Sequence, residues 1–339
     1  WVFLLSLCHF GGLDIVYMSK ILGLLLSISI LMMVAVISCN LFQVSRWLSF
    51  LSLCYLATNI SVVYYAISGM ETMLFTFLIV SMILFLTRDR FLLAAFVAAM
   101  IALTRPEGII FVLPLGLGVF ISTRRKRLTA RVCLIPVSAY LLMSVFRFAY
   151  FGTVLPNTHA AKVGAFKLNA EWILYNTRTF INYTMSSDGP GLLFLVLALL
   201  GAVVSIRKET VPLITSIGCM VVFVWYSQGD WMSFWRFYVP ILPFTAILVF
   251  AFLESLQRKF STVISKMAAM LVGSILVILS IFSTAESVES LKTGDGLNAA
   301  MHSRTHIAIG HYLVEQGTQE DLVAVNEVGA IGYYSNMHV

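Results

Sequence analysis

Four short stretches of an otherwise apolar chain carry residues that could do chemistry. "SGMET" (68–72) holds Glu71, and "TRPEG" (104–108) holds Arg105 and Glu107. "FGTVLPNTHAAK" (151–162) holds Asn157, His159 and Lys162. "GDWMSFWRFYVPILPF" (229–244) places Asp230 and Arg236 on either side of Trp231, Phe234 and Trp235. Guanidinium and ammonium groups pair with phosphate oxygens, Arg bidentately. Carboxylates and amides hold hydroxyls, and aromatic faces stack on sugar rings.

Each stretch also has a plainer reading. In "TRPEG", Thr104 fits a helix N-cap, Pro106 the first turn, and Glu107 the third position after the cap. That pattern does not explain Arg105, because a cation is unfavourable at a helix N-terminus and costly at membrane depth unless paired or facing water. Arg105 is therefore read either as a structural corner with Glu107 or as an anion-facing group. Glu71 is either a favourable charge at a helix start or a carboxylate that holds a hydroxyl or an arginine. In the third stretch, Pro156 keeps Leu155 out of helix, and Asn157 or Thr158 caps a new helix. The backbone amides there, with His159 and Lys162, could form an anion site; otherwise this is an ordinary loop. In the fourth stretch, the Trp and Tyr residues fit an interfacial belt, and Asp230 with Arg236 fits a rim ion pair. Pro240 and Pro243 are expected to bend or loosen the span that follows.

The elements that must position these groups are membrane helices. Hydrophobic residues make up 60% of the 339, charged residues only 11%, and the mean hydropathy is +0.93. A soluble domain carries about twice that charge. Apolar runs long enough to cross a bilayer predict about ten spans: 18–39, 47–68, 70–87, 91–104, 107–122, 131–151, 189–206, 210–227, 235–253 and 264–284. Residues 1–10 are too short to cross, and are expected to form an interfacial helix or to be the remnant of a longer element. The domain reading is a membrane domain over 1–284 and the start of a small external domain over 285–339. A helix over 297–316 and a strand in "DLVAVNEVGAIGYYS" predict a short α/β tail. The chain starts at Trp1 within an apolar stretch, so both ends are expected to be cut from a longer protein.

Charge orients the bundle. Alternate loops hold thirteen basic residues against three acidic ones, among them Arg46, Arg90, Arg125, Lys126, Arg127, Arg131 and Arg258. The other loops and the tail hold nine basic and thirteen acidic residues. This asymmetry puts the first set in the cytoplasm and all four chemical stretches outside. The net charge of +6 is thus a topology signal, not a nucleic-acid footprint. The five cysteines lie scattered in apolar segments with no metal-like spacing. His302 and His306 share a helix face, with no further ligands in pattern. Walker A, GxGxxG in a βαβ context, HExxH and GxSxG are absent, so any transfer chemistry needs a donor already delivered to the membrane.

Taken in order, "SGMET", "TRPEG", "LPNTHAAK" and "GDWMSFWRFYVPILPF" resemble polytopic membrane glycosyltransferases of the GT-C type. The likeness is to the branch that includes terminal arabinofuranosyltransferases of actinobacterial cell walls and related bacterial membrane proteins, and it spans most of the chain. The resemblance implies a GT-C-like helical bundle in the cytoplasmic membrane, with its site on the periplasmic or external face. It implies transfer of a sugar from a polyprenyl-phosphate donor to a glycan, lipid or protein acceptor of the cell envelope. Arg105, Lys162 and Arg236 would then hold phosphate. Glu71, Glu107, Asn157, His159 and Asp230 would hold sugar hydroxyls or support those cations. The family's catalytic carboxylate lies in the first external loop, which would precede Trp1. Asp14 is not its counterpart, and the chain without that loop is expected to be inactive. Some such enzymes use a divalent metal and some do not; no ligand set is evident here. A transporter or flippase of lipid-linked sugars would require charged residues deep in the spans and broken helices. The span centres are nearly charge-free. A non-catalytic envelope assembly protein would use the acidic tail for docking.

Overall fold

The structure is a computed structural model. It describes residues 1–154, 170–184, 192–227, 232, 234–293, 295–318, 321, 323, 328–335 and 337, with the backbone alone described at 183–184, 192, 293, 295–303 and 328–329. It is 84% helical, and no strand occurs among the described residues. The fold is that of an α-helical membrane protein.

The helices are α1 (Val2–Phe10), α2 (Ile15–Asn40), α3 (Arg46–Thr58), α4 (Ile60–Ile67), α5 (Thr72–Leu86), α6 (Phe91–Thr104), α7 (Val112–Thr123) and α8 (Lys126–Phe151). They continue as α9 (Ala170–Thr184), α10 (Leu192–Val204), α11 (Val211–Tyr226), α12 (Leu242–Phe260), α13 (Val263–Thr293), α14 (Asp295–Gln316) and α15 (Val328–Ser335). Short 3-10 segments, Pro106–Phe111 and Val239–Ile241, lead into α7 and α12. Each apolar run expected to span is helical over most of its described residues. By length and composition, five helical stretches among the described residues suffice to cross: Ile15–Asn40, Pro106–Thr123, Lys126–Phe151, Val239–Phe260 and Val263–Lys292. α3 and α4 pass the same test as a pair bent by 59° at Asn59. The bend has a local cause: the Asn59 side chain accepts from the backbone N–H groups of Ser61 and Val62 and so starts a new helix. α5, α6, α10 and α11 are shorter apolar helices.

The chain forms two compact units, Trp1–Ser283 and Thr284–Val339. In the first, α12 is the axis. From Leu242 to Leu253 it is apolar but for Thr245, and 83% of its most apolar stretch is buried, against 17% for α8. Lipid supplies no hydrophobic drive between helices, so they associate where small residues let backbones meet. Gly201 of α10 shows this: a Cβ there would stand 2.0 Å from the Leu248 carbonyl oxygen of α12. Large apolar side chains on α8 and α13, such as Leu142, Val145, Ile264 and Leu271, point outward, as a lipid-facing surface requires.

Pro240 and Pro243 do not bend the span. Each falls at the start of a helical segment, where its missing N–H breaks no bond, and α12 continues unbroken from Leu242. The basic end of α12 is fastened instead. Buried Glu254 accepts from the Ser45 N–H (2.8 Å) and from Arg258 Nε (2.9 Å). Arg258 also donates to the carbonyl and side-chain oxygens of Gln43, a residue with φ 53° in the turn between α2 and α3.

The second unit departs from the expected α/β pattern. Residues 328–335 are helical, with Ile331 and Ser335 buried one turn apart and the Tyr334 ring 5.2 Å from that of His311 on α14. This helix occupies the glycine-containing half of the segment, where a turn was expected. Of the alternating half, where the strand is expected, residues 322 and 324–327 lie outside the described residues.

Candidate functional site

The corner at Arg105 is set by two neighbours. Pro106 excludes helical backbone at the residue before it. Arg105 is accordingly extended (φ −144°, ψ 139°), closing α6 and opening the 3-10 segment. Gly108 lets that segment fold back on α6, since a Cβ would lie 2.3 Å from the Ile101 carbonyl oxygen. Thr104 is not the N-cap. It still belongs to α6, and its hydroxyl donates to the Met100 carbonyl at 2.7 Å. The cap position falls to Arg105, which makes no side-chain capping bond.

This geometry turns the Arg105 side chain inward, to 7% exposure. Nη2 lies 2.6 Å from Glu107 Oε1, and Nε lies 3.9 Å from Glu71 Oε1. Glu71 sits at the N-cap of α5, after a turn in which Gly69 has φ 77°. The Trp1 indole N–H donates to the Gly69 carbonyl at 2.9 Å. The guanidinium carbon of Arg105 stands 5.1 Å from the Phe75 ring centroid and 4.9 Å from that of Phe237. Its Nη1 is buried with no hydrogen-bond partner among the described residues.

Phe237 joins this corner to the fourth stretch. Arg236 Cζ is also 4.9 Å from the Phe237 centroid. Phe234 and Trp235 are both left-handed, at φ 56° and 58°. Bulky residues adopt that conformation at a cost of about 1–3 kcal/mol each, and only where surrounding packing holds them. Phe234 is buried with its ring 4.9 Å from Tyr64 of α4, and Phe237 is buried with its ring 5.2 Å from Phe223 of α11. Packing from two helices thus holds the strained turn.

The resulting cluster contains two guanidiniums, two carboxylates and an aromatic floor. Glu71 is 25% exposed and Glu107 13%. One buried guanidinium donor without an acceptor therefore lies beside a carboxylate that reaches solvent. Such a pairing can bind a ligand that carries both an anionic oxygen and hydroxyls. Among the described residues, no three His, Cys, Asp or Glu side chains group closely enough to hold a metal ion.

No protein-family model, curated protein or solved structure matches this chain.

Of the residues singled out in the sequence, Arg105, Glu107, Glu71 and Arg236 meet around Phe237 and Phe75. Asn157, His159, Lys162 and Asp230 lie outside the described residues, as does Trp231. Two participants of this cluster were not foreseen, nor was a buried amide on α9. Phe75 follows Glu71 by four positions, so helical spacing could have placed it on the same face. Phe237 stands within the quoted fourth stretch. Asn176 of α9 is 1% exposed, and neither side-chain amide atom has a partner among the described residues. Nothing in the local sequence marks it.

Proposed function

We propose that this chain belongs to a membrane glycosyltransferase that moves a sugar from a polyprenyl-phosphate donor to a glycan, lipid or protein acceptor at the outer face of the cytoplasmic membrane. The observation that carries the reading is the meeting of Arg105 and Arg236, 131 positions apart in the sequence, on the single ring of Phe237. Cations held in a fixed, poorly hydrated setting stabilise the charge that develops on a departing phosphate. Glu107 and Phe75 hold Arg105 in place, and its free Nη1 is the donor offered to the phosphate. Glu71 is suited to sugar hydroxyls. Lys162 would add a further cation, and Asn157, His159 and Asp230 further hydroxyl contacts. The proton of the acceptor hydroxyl needs a carboxylate base.

In this reading the ten apolar segments are ten crossings, the shorter ones completed by their flanking turns. The basic loops face the cytoplasm and the Arg105 corner faces outward. α6 separates the two sets of groups, because Arg90 precedes its first residue and Arg105 follows its last.

The test is an assay of the full-length protein with polyprenyl-phosphate sugars, comparing wild type with Arg105→Ala and Arg236→Ala. Each variant should lose about 100-fold in turnover, the scale of removing one electrostatic stabiliser. Equal turnover in all three would discard the site.

One observation favours transport of lipid-linked sugars as a second reading. The α3–α4 pair is broken within its span at Asn59, and broken helices are a hallmark of transporters. Reconstituted vesicles separate the two: transport moves the intact lipid-linked sugar across the bilayer, whereas transfer releases free polyprenyl phosphate.

A further inference from the structure

The basic end of the bundle carries a feature that the proposed reaction does not use. A hollow of about 670 Å³ opens between the start of α6 and the first turns of α8. Its walls are apolar, with Leu92 and Leu93 from α6 and Val132 and Ile135 from α8. Arg90 and Arg131 stand over them. A second hollow of about 450 Å³ adjoins it, sharing Leu128 and Arg131 and adding Arg125, Lys126 and Arg127. Asp89 is the one carboxylate in either lining, so five cations face one anion. None of these six charged groups forms an ion pair among the described residues.

The cations sit at the head of an apolar path. α6 and α8 both begin at this end, because α7 returns the chain between them. From Leu93, the residues Phe96, Met100 and Leu103 continue along α6 at helical spacing, and all four are exposed. From Leu93 to Leu103 this stripe rises about 15 Å along the surface of the bundle. Positive charge at the mouth and an exposed aliphatic track below it match the two ends of one molecule. Basic pockets between membrane helices bind acidic lipid headgroups on this principle.

We infer that the cleft between α6 and α8 is a binding site for an anionic phospholipid, its phosphate held by Arg90 and Arg131 and its acyl chain lying along Leu93, Phe96 and Met100. Charge complementarity selects this occupant over a neutral lipid, and the apolar track selects it over a free phosphate. The N-termini of α6 and α8 add partial positive charge to the same mouth. Arg125, Lys126 and Arg127 extend the basic surface beyond the first phosphate. The inference needs only that the helices lie in a bilayer, so it stands or falls apart from the proposed sugar transfer.

Native mass spectrometry of the purified full chain, titrated with phosphatidylglycerol or phosphatidylcholine in mild detergent, tests it. Phosphatidylglycerol should bind at a saturable site and phosphatidylcholine should not. The double substitution Arg90→Gln with Arg131→Gln should weaken phosphatidylglycerol binding about 25-fold, at roughly fivefold per cation near an anionic lipid. Both side chains are exposed, so the fold survives the change. As a control, Arg46→Gln with Lys266→Gln removes two cations that line neither hollow. It should leave binding within about twofold of wild type, given the same per-cation scale. An equal loss in the control would mean diffuse surface attraction and would overturn the site. Full competition by inorganic phosphate at equal concentration would overturn the lipid in favour of a free anion. Equal binding of the two lipids would remove the role of charge.

Discussion

Arg105 and Arg236 each hold a guanidinium carbon 4.9 Å from the centroid of one ring, that of Phe237. The two legs bound the distance between the cations at twice that length. Two positive charges so close, with the nearer surroundings apolar, need either carboxylates or an anionic ligand. Glu107 and Glu71 supply the carboxylates on the Arg105 side.

Phe237→Leu keeps the apolar bulk and removes the ring's negative face. A cation–π contact contributes about 0.5–2 kcal/mol, and more when desolvated, and two are lost at once. Turnover with a polyprenyl-phosphate sugar should fall about tenfold or more on that scale. A double-mutant cycle with Arg105→Lys should be non-additive, because the residues share one contact. Additive losses would show that the ring does not couple the two cations.

The carboxylates should rank unequally in stability. Glu107→Ala removes the 2.6 Å partner of a guanidinium only 7% exposed, and an uncompensated buried charge costs roughly 3–5 kcal/mol. Glu71→Ala removes a contact at 3.9 Å by a carboxylate that is 25% exposed. Partly exposed pairs contribute about 1 kcal/mol or less. Thermal unfolding in detergent should therefore place Glu107→Ala well below Glu71→Ala. The reverse order would mean that Glu71 is the true anchor of Arg105.

The opposite end of the bundle should behave as structure alone. Glu254 satisfies the Ser45 N–H at the start of α3 and pairs with Arg258 on its own helix. Glu254→Ala strands a backbone donor and part of a guanidinium, at a cost of roughly 2–4 kcal/mol. Folded, purified variant should keep wild-type turnover per molecule. A selective loss of turnover at unchanged thermal midpoint would tie this end to the reaction.

How much of this was legible beforehand depended on the range of the interaction. Apolar run length gave most of the helices of the first unit, because it is a local property of the chain; it missed α9, which lies in what reads as a loop, and it took α3 and α4 as one span. The extended backbone of Arg105 followed from Pro106, yet Thr104 was misread: its hydroxyl turned back to Met100 on the helix it closes. Prolines 240 and 243 were read as breakers. Their effect depends on whether a helix has already begun, which neighbouring sequence does not reveal. The break at Asn59 was concealed because it lies inside one long, mostly apolar run. The meeting of Arg105 with Phe237 was invisible for a different reason. It joins α6 to the entry of α12 through tertiary packing, and no periodicity encodes a contact across 132 positions.

The sidedness of the corners supplies the last prediction. If the motif stretches form one outward site, groups at Glu71 and Arg236 must be reached from the same side of the membrane, and groups at Arg90 and Lys126 from the other. α6 fixes the two ends relative to each other: Arg90 precedes it, Arg105 follows it, and its 14 residues span about 20 Å. The five native cysteines are all unpaired and partly accessible, so they are first replaced by serine. Single cysteines at 71, 236, 90 and 126 are then treated in intact cells with a membrane-impermeant maleimide. Positions 71 and 236 should label from outside, and positions 90 and 126 only after the membrane is opened. Labelling of 71 and 236 from opposite sides would contradict their shared contact with Arg105 and Phe237, and no phosphate could then be gripped by both corners.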